Sequence, residues 1–138
     1  MKNLRQEKLG FAAAMVLALV FGSTISFAQG TDWNAPADAN GYKNPIKSDA
    51  KSVAAGKKVY EKYCLLCHGA TGKGDGASSG SLEIKPANFG DKKRMSGQSD
   101  GALAWKIISG RGPMPAWGPV LQENDIWNVI NYIRTFAK

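Results

Sequence analysis

The sequence predicts an all-α fold, on three observations. Apolar residues recur at three- or four-residue spacing within residues 53–63, 100–109 and 123–136, which is the period of one helix face. No stretch sustains the apolar–polar alternation of a half-buried strand. The intervening segments are rich in glycine and proline, which interrupt regular structure. A few short helices would be only marginally stable alone, so we expect an additional apolar group at the centre of the domain, around which the helices pack.

Residues 1–28 are predicted to be a secretory signal peptide. A positively charged start precedes the nearly wholly apolar run 11–21, and Ser26-Phe27-Ala28 places small residues where a signal peptidase reads them. The apolar run is shorter than the roughly 20 residues of a membrane span. We therefore expect no stable membrane insertion once the signal is cleaved. An uncleaved segment that anchors the protein in the membrane is the alternative.

The chain carries a formal charge of +7, which falls to +5 when the predicted signal, with three basic residues and one acidic residue, is removed. A net positive charge of this size is expected of an ordinary solvated protein surface. It is equally expected of a protein that is attracted to an acidic docking partner. We expect protein partners and no nucleic acid.

Residues 29–50 contain Pro36 and Pro45 and show no persistent apolar period, so they are predicted to form an N-terminal extension or linker. Trp33 and Tyr42 are the side chains expected to hold this extension against the domain. The domain itself is predicted over residues 51–138.

The first predicted helix of the domain covers residues 53–63, with Ser52 as its N-terminal cap. Its apolar face is formed by Val53, Gly56, Tyr60 and Tyr63. A glycine inside a helix costs roughly 1 kcal/mol relative to alanine. A glycine on the buried face therefore predicts that another helix crosses closely at this point.

The segment Cys64-Leu65-Leu66-Cys67-His68 contains both cysteines and the only histidine of the chain. This C-x-x-C-H pattern attaches c-type haem. Two thiols one helical turn apart can each form a thioether to a vinyl group of the macrocycle, and the next residue places an imidazole beneath the iron. We therefore predict one covalent haem c, with Cys64 and Cys67 as its thioether attachments and His68 as the proximal iron ligand.

Three other uses of the cysteines remain open. Cysteine pairs in exported proteins commonly form disulfides. A thioredoxin-like redox pair is the second alternative, although that motif begins a helix in a βαβ unit and these cysteines end a helical pattern. The third is a zinc site, which needs four ligands and which only carboxylates could complete here.

Residues 69–80 are dense in glycine and lack the order of a phosphate-binding loop, so we interpret them as a loop around one haem edge. A backbone carbonyl of this region is expected to accept the His68 Nδ1 proton, as ligand histidines require. Phe89 is the expected apolar anchor of the following turn. The basic residues 92–94 are expected to form a solvated face.

Two further helices complete the domain. Ser99 is expected to cap a helix over residues 100–109, and Gly110 is expected to end it. The closing helix is predicted over residues 123–136. The residues of the first of these two helices that are predicted to face inward are Leu103, Ala104, Ile107 and Ile108.

The sequence contains no second histidine, so the other axial position of the iron needs a different ligand or stays open. Met1 and Met15 lie in the predicted signal, and Met95 follows three basic residues, a poor setting for a buried thioether. Met114 stands between two prolines in a stiff, apolar loop. We predict Met114 as the distal iron ligand, with Met95 or an open iron as the alternatives.

Together these motifs resemble a small class I cytochrome c of bacterial type, over about residues 51–138. The resemblance implies a few α-helices wrapped around one covalently bound haem, with Gly56 and Tyr60 meeting Tyr132 where the first and last helices cross. It also implies haem attachment outside the bacterial cytoplasm. The residues that carry it are Gly56, Tyr60, Cys64-Leu65-Leu66-Cys67-His68-Gly69, Met114-Pro115-Ala116-Trp117, Ile126-Trp127 and Tyr132-Ile133-Arg134.

An iron with histidine and methionine ligands is coordinatively saturated, so it can pass one electron at an exposed haem edge but offers no position to a substrate. We therefore expect a soluble, periplasmic one-electron carrier, not an enzyme, that exchanges electrons with redox partner proteins. The alternatives are a haem subunit of a dehydrogenase or oxidase complex, and an open-iron sensor or peroxidase-like haem protein.

Overall fold

The computed structural model describes residues 33–138, so the predicted signal peptide at residues 1–28 lies outside the described residues. Within 33–138 the chain forms helices and loops and no β-strand, apart from an isolated bridge between Arg111 and Met114. The all-α prediction is confirmed. The α-helices are α1 (Ala37–Asn40), α2 (Ala50–Tyr63), α3 (Leu65–His68), α4 (Lys92–Ser96), α5 (Asp100–Ser109) and α6 (Glu123–Ile133), and 3₁₀ turns cover Ser79–Ser81 and Arg134–Ala137.

The core of the domain forms where α2 crosses α6 at Gly56. A Cβ atom built on Gly56 would lie 1.9 Å from the backbone carbonyl oxygen of Asn128 and 2.9 Å from the backbone nitrogen of Val129. The two helix backbones therefore touch at a point where only a hydrogen atom fits between them. The close crossing predicted from this glycine is confirmed.

Aromatic rings extend this crossing toward the C-terminal end of α2. Tyr60 is 1 % exposed, and the centroid of its ring lies 5.2 Å from that of Tyr132 and 5.4 Å from that of Phe136. The contact with Tyr132 is edge-to-face and that with Phe136 is tilted, and aromatic pairs of this kind stabilise the core beyond the gain from burial alone. The expected meeting of Tyr60 with Tyr132 is confirmed, whereas Gly56 contacts the α6 backbone at Asn128 instead.

The prediction that Ser52 caps the first domain helix is wrong. The helix begins at Ala50, and its cap is Asp49, whose side chain accepts a hydrogen bond from the Ser52 backbone N–H at 2.9 Å. Ser52 is buried, and its hydroxyl donates to Asn128 Oδ1 at 2.8 Å and accepts from Asn131 Nδ2 at 2.7 Å. The sequence alone does not separate these possibilities, because aspartate and serine are both good caps.

The caps predicted for α5 are confirmed. The hydroxyl of Ser99 accepts a hydrogen bond from the Ala102 N–H at 3.0 Å, and Gly110 follows the helix with a left-handed φ of 60°. The inward orientation predicted for Ile108 is wrong, because this side chain is 44 % exposed. It lies about 100° around the helix from Ile107 and past the edge of the buried stripe.

The closing helix ends earlier than predicted. The α-helical part of α6 stops at Ile133, and a 3₁₀ turn covers the remaining residues to Ala137. In that turn Arg134 forms an ion pair with Asp100 at 2.7 Å and donates a hydrogen bond to the Met95 carbonyl oxygen at 2.7 Å. One side chain thus links the end of the chain to both α4 and α5.

Residues 33–49 pack on the helices that follow them. A Cβ atom on Gly101 of α5 would lie 2.0 Å from the Ala39 carbonyl oxygen, so α1 lies directly against α5. Trp33 contacts Trp105 with a ring separation of 6.3 Å, in agreement with its expected holding role. Tyr42 also contacts α5, since a Cβ atom on Gly101 would lie 2.8 Å from its carbonyl oxygen and 2.9 Å from its Cβ atom, although the residue as a whole is 65 % exposed.

Gly56→Ala should destabilise the protein by at least about 2 kcal/mol, because the added methyl group would force α2 and α6 apart. A gain of roughly 1 kcal/mol in helix propensity does not offset this loss. Denaturant unfolding followed by circular dichroism measures the change. Gly80→Ala is the control, since a Cβ atom there would meet nothing within 4 Å. An equal loss of stability in both variants would contradict the close crossing.

Candidate functional site

Both cysteines and the histidine lie at one helix end. Cys64 follows the last residue of α2, while Cys67 and His68 belong to the single turn of α3. The N–H groups of Cys67 and His68 donate to the Cys64 carbonyl oxygen at 3.2 and 2.9 Å. The two cysteines are partly buried and are not joined by a disulfide. The predicted attachment residues and the imidazole therefore share one short, hydrogen-bonded segment.

The surroundings of Cys64 do not suit a redox-active thiol. Burial raises the pKa of the Cys64 thiol to about 12, and the nearby Cys67 raises it too. Reactive cysteines have a lowered pKa instead, because the thiolate is the nucleophile. The thioredoxin-like alternative therefore fits this position poorly. Between residues 33 and 138, no group of three or more His, Cys, Asp or Glu side chains is arranged to hold a metal ion such as zinc.

His68 is oriented by a backbone carbonyl. Its Nδ1 lies 3.3 Å from the Ala87 carbonyl oxygen, and because a carbonyl can only accept a hydrogen bond, Nδ1 carries the ring proton. Burial lowers the pKa of His68 below its usual value, although the hydrogen bond to Ala87 opposes this shift. The ring is therefore neutral near pH 7, with its lone pair on Nε2, as a metal ligand requires.

The expectation that the acceptor carbonyl lies within residues 69–80 is wrong. Ala87 belongs to the turn that follows. A backbone carbonyl cannot be recognised from the type of its residue, so the sequence gives no direct sign of this acceptor. The nearest residue that could have pointed to it is Phe89, two residues after Ala87. The Phe89 ring stacks on the His68 ring, with centroids 4.5 Å apart and an interplanar angle of 18°. Phe89 is 8 % exposed, as expected of an apolar anchor.

Backbone hydrogen bonds hold the acceptor turn against the motif. The Phe89 N–H donates to the Gly72 carbonyl oxygen at 2.6 Å, and the Gly74 N–H donates to the His68 carbonyl oxygen at 2.9 Å. Gly74 has a left-handed φ of 77°, and a Cβ atom there would lie 2.3 Å from the Pro86 carbonyl oxygen. Glycine is therefore required where the chain passes close to the acceptor turn.

Tyr60 links α2 to the residue that follows His68. Its hydroxyl is buried and donates to the Gly69 carbonyl oxygen at 2.7 Å. Burial raises the pKa of the Tyr60 hydroxyl, and nearby ionisable side chains raise it further. The hydroxyl therefore stays protonated and remains a donor at physiological pH. The helical period predicts that Tyr60 lies on the core face, but it carries no signal for this hydrogen bond.

The predicted distal ligand lies in a tight turn. Arg111 and Met114 exchange two backbone hydrogen bonds, each 3.0 Å long. Met114 is partly buried and packs against the hydrophobic core, as Cys64 does. Beyond the turn, the Trp117 N–H donates to the Ile107 carbonyl oxygen at 2.9 Å and so fixes the loop to the end of α5.

An aromatic contact brings this loop to the cysteine motif. The ring centroid of Trp117 lies 5.2 Å from that of Tyr63, and Tyr63 immediately precedes Cys64. The two segments that carry the predicted iron ligands are far apart in sequence. Through this contact and the shared core they border the same part of the domain.

Met95 is buried, contrary to the expectation from its sequence neighbours. It is 3 % exposed and belongs to the hydrophobic core. The reason is the short helix α4, whose cap Asp91 accepts a hydrogen bond from the Arg94 N–H at 3.0 Å. This helix exposes residues 92–94 to solvent and turns Met95 inward. The expected solvated face is therefore confirmed.

The donor groups fit a covalently attached haem. The described residues offer two thiols one turn apart, a neutral imidazole with its lone pair on Nε2, and a partly buried thioether in a hydrogen-bonded turn. These are the groups that attachment of c-type haem and His/Met axial ligation require.

Comparison with known proteins decides the family. The sequence profile described as "Cytochrome C oxidase, cbb3-type, subunit III" matches residues 51–133. The chain belongs to the class I c-type cytochromes. Its cofactor is covalently bound haem c, as the sequence predicted.

Two relatives show the kinds of protein that this cytochrome resembles. It is 34% identical over 99 residues to the Cbb3-type cytochrome c oxidase subunit CcoP of Azospirillum sp. (strain B510), and the aligned stretch covers 68% of this cytochrome and 32% of that subunit. It is 34% identical over 85 residues to cytochrome c6 of Cladophora glomerata, and the aligned stretch covers 62% of this cytochrome and 89% of that protein. This cytochrome thus spans about a third of the length of the oxidase subunits that it matches.

A solved structure agrees on the fold. The KustC0563 c-type cytochrome aligns at 25% sequence identity with a TM-score of 0.54, over 60% of this cytochrome and 98% of that chain. The predicted small cytochrome c fold is confirmed. Residues 33–50 precede the span that the family profile matches. Over residues 33–138, the helices lack the combination of length and apolar character that crossing a membrane requires.

Tyr60→Phe should destabilise the protein by about 1 kcal/mol, because it removes the buried hydrogen bond to the Gly69 carbonyl. The loss stays near this value, since that carbonyl also accepts from the Gly72 N–H at 3.2 Å. Denaturant unfolding measures it. Tyr42→Phe, at a side chain that is 65 % exposed, should change nothing. Equal stability of the two variants would refute the structural role of the Tyr60 hydroxyl.

Proposed function

We propose that this cytochrome is a periplasmic one-electron carrier whose haem is attached through Cys64 and Cys67 and whose iron is bound by His68 and Met114. The observation that carries the proposal is the hydrogen bond of His68 Nδ1 to the Ala87 carbonyl oxygen at 3.3 Å, which leaves Nε2 as the ligand atom. Haem c, when bound, supplies an iron that gains or loses one electron.

Each side chain has a distinct task in this proposal. The two cysteines hold the macrocycle covalently in either oxidation state. The Ala87 carbonyl and the Phe89 ring keep His68 in one tautomer and one orientation. Met114 raises the reduction potential, because thioether sulfur favours ferrous iron more than imidazole does. If His68 and Met114 both bind the iron, it would have no position left for a substrate, and we therefore propose a carrier and not an enzyme.

A basic cluster beside the Met114 turn suits acidic redox partners. This cluster consists of Arg94, Lys106 and Arg111. Lys106 Nζ and the guanidinium carbon of Arg111 lie 5.8 and 5.3 Å from the centroid of the same Trp33 ring. Burial lowers the pKa of Lys106, and the charges of Arg94 and Arg111 lower it further. Because Arg111 belongs to the turn that carries Met114, positive charge lies next to the proposed distal ligand. We propose that acidic partner surfaces dock on this side.

The periplasmic location rests on the sequence of the N-terminal segment. The predicted signal peptide at residues 1–28 precedes the extension at 29–50 and the cytochrome domain at 51–138. Cleavage after Ala28 would release a soluble protein into the periplasm. Retention of the segment would anchor the same domain to the membrane.

A second candidate function is that of a haem subunit in an oxidase complex. It is favoured by the Cbb3-type oxidase subunits CcoP and FixP among the relatives. A subunit would stay bound to its partner through an apolar surface. Purification of the protein together with an oxidase would favour this candidate, whereas a monomeric haem protein would favour the carrier.

Met114→Ala should lower the reduction potential by on the order of 0.1 V, a fraction of the roughly 0.8 V that axial ligands span. It should also allow the ferrous protein to bind carbon monoxide, because the iron loses its thioether ligand. A spectroelectrochemical titration measures the potential, and the visible spectrum reports gas binding.

Met95→Leu is the matched control for this experiment. The leucine has a similar volume, so the substitution should cost less than about 1.5 kcal/mol of stability and should leave the potential unchanged. A changed potential in Met95→Leu together with an unchanged one in Met114→Ala would assign Met95 as the ligand and contradict the proposal.

The rate of reduction by small charged reagents should depend on salt concentration, and the dependence should have opposite signs for an anionic and a cationic reductant. Reduction by anionic hexacyanoferrate(II) should slow as ionic strength rises from about 0.01 to 0.5 M, and reduction by cationic hexaammineruthenium(II) should accelerate, because salt screens the basic cluster. Stopped-flow absorbance measures both rates.

Two single-charge variants locate this effect. Arg94→Gln should lower the low-salt rate with hexacyanoferrate(II) about twofold. Lys51→Gln, which makes the same charge change roughly 20 Å along α2 from Cys64, should lower it less. Equal effects of the two variants would show that net charge alone acts, and would argue against docking beside the Met114 turn.

A further inference from the structure

The N-terminal extension carries a side chain that reaches the Met114 turn. Trp33 precedes the span of the family profile, residues 51–133. The guanidinium carbon of Arg111 lies 5.3 Å from the centroid of the Trp33 ring, and Lys106 Nζ lies 5.8 Å from it. Both distances are within the range of about 6 Å in which an indole ring attracts a cation.

Trp33 is itself held in place. Its ring contacts Trp105 of α5 edge-on, with centroids 6.3 Å apart. Farther along the extension, the Asn44 side-chain amide donates to the Trp127 carbonyl oxygen at 3.0 Å. With α1 packed against α5 between these two points, the extension is fixed along its length, and the indole ring has a defined position.

The indole ring offsets a repulsion between the two cations near it. Arg111 and Lys106 are close enough for their like charges to repel. The negative face of the Trp33 ring attracts both, and so favours the arrangement in which Arg111 stays near α5. A loss of the ring would remove this attraction.

The position of Arg111 determines the position of Met114. The two residues exchange backbone hydrogen bonds in both directions, each 3.0 Å long, so a shift of the Arg111 backbone moves Met114 as well. The other end of the same loop is fixed by the hydrogen bond from Trp117 to Ile107. Trp33 and Trp117 therefore act on opposite ends of the loop that carries the thioether.

We propose that Trp33 is a positioning residue for Met114: it holds Arg111 near α5 and thereby keeps the Met114 thioether on the iron. The inference rests on the proposed ligation of the iron by Met114. It gives the extension a role in ligand retention, which the family domain alone would not supply.

The test is competition between imidazole and Met114 for the iron of the ferric holoprotein. Displacement is followed by loss of the weak far-red absorption band of methionine-bound ferric haem. Trp33→Ala should lower the imidazole concentration at half-displacement about two- to fivefold, the size of one exposed cation–aromatic contact. Trp33→Phe keeps an aromatic face and should restore most of the wild-type value.

Two controls separate positioning from general stability. Asn44→Ala removes three hydrogen bonds of the same extension away from the Trp33 ring, with Trp127, Asn131 and Ile46, so it should lower the free energy of unfolding and leave the imidazole midpoint unchanged. In an Arg111→Ala background, Trp33→Ala should have little further effect, because Trp33 acts through Arg111.

An unchanged midpoint in Trp33→Ala, or an equal fall in Asn44→Ala, would overturn this inference and leave the ligation by Met114 intact. Met114→Ala is measured alongside. Persistence of the far-red band in that variant would overturn both the role of Trp33 and the ligation by Met114. If Trp33→Ala does not fold with haem, Trp33→Leu replaces it, since leucine keeps the apolar bulk without the cation-attracting face, and the same midpoint decides.

Discussion

The backbone contact between α2 and α6 at Gly56 determines where the rest of the site lies. No side chain fits there, since a Cβ atom would come within 1.9 Å of the Asn128 carbonyl oxygen. Residues four apart share one face of a helix. Tyr60 therefore packs against α6 one turn later, and Cys64 ends the helix after one further turn. The helix crossing, the aromatic contact and the proposed site of haem attachment thus follow one another on a single face of α2.

From that fixed helix end, contacts with distant segments orient the imidazole. The chain after His68 is held by the Tyr60 hydroxyl, and the ring is held by the Ala87 carbonyl on its Nδ1 side and by the Phe89 ring on its face. A ligand whose orientation is set by its protein neighbours loses little conformational freedom when it binds iron. The Met114 turn is held in a comparable way, by Trp117 at one end and by the proposed action of Trp33 at the other.

Local sequence patterns predicted the helices, but they could not predict the contacts between segments that are distant in the sequence. Periodicity indicated the three long helices, and Gly56 predicted the close crossing because glycine weakens a helix unless a neighbouring backbone needs the space. The cap at Ser52 was wrong because Asp49, three residues earlier, is an equally good cap. Met95 was misjudged because a short helix can separate an apolar side chain from basic neighbours. The Ala87 carbonyl could not be predicted, since the group that binds His68 belongs to the backbone and is the same in every residue.

A haem c iron with both axial positions occupied is the central feature proposed for this cytochrome, and the visible spectrum of the purified holoprotein tests it most directly. The spectrum is recorded oxidised, reduced, and reduced under carbon monoxide. We predict a weak far-red band in the oxidised form and a reduced spectrum that carbon monoxide leaves unchanged. Absence of that band together with ready binding of carbon monoxide would show an open iron and would contradict the saturated carrier.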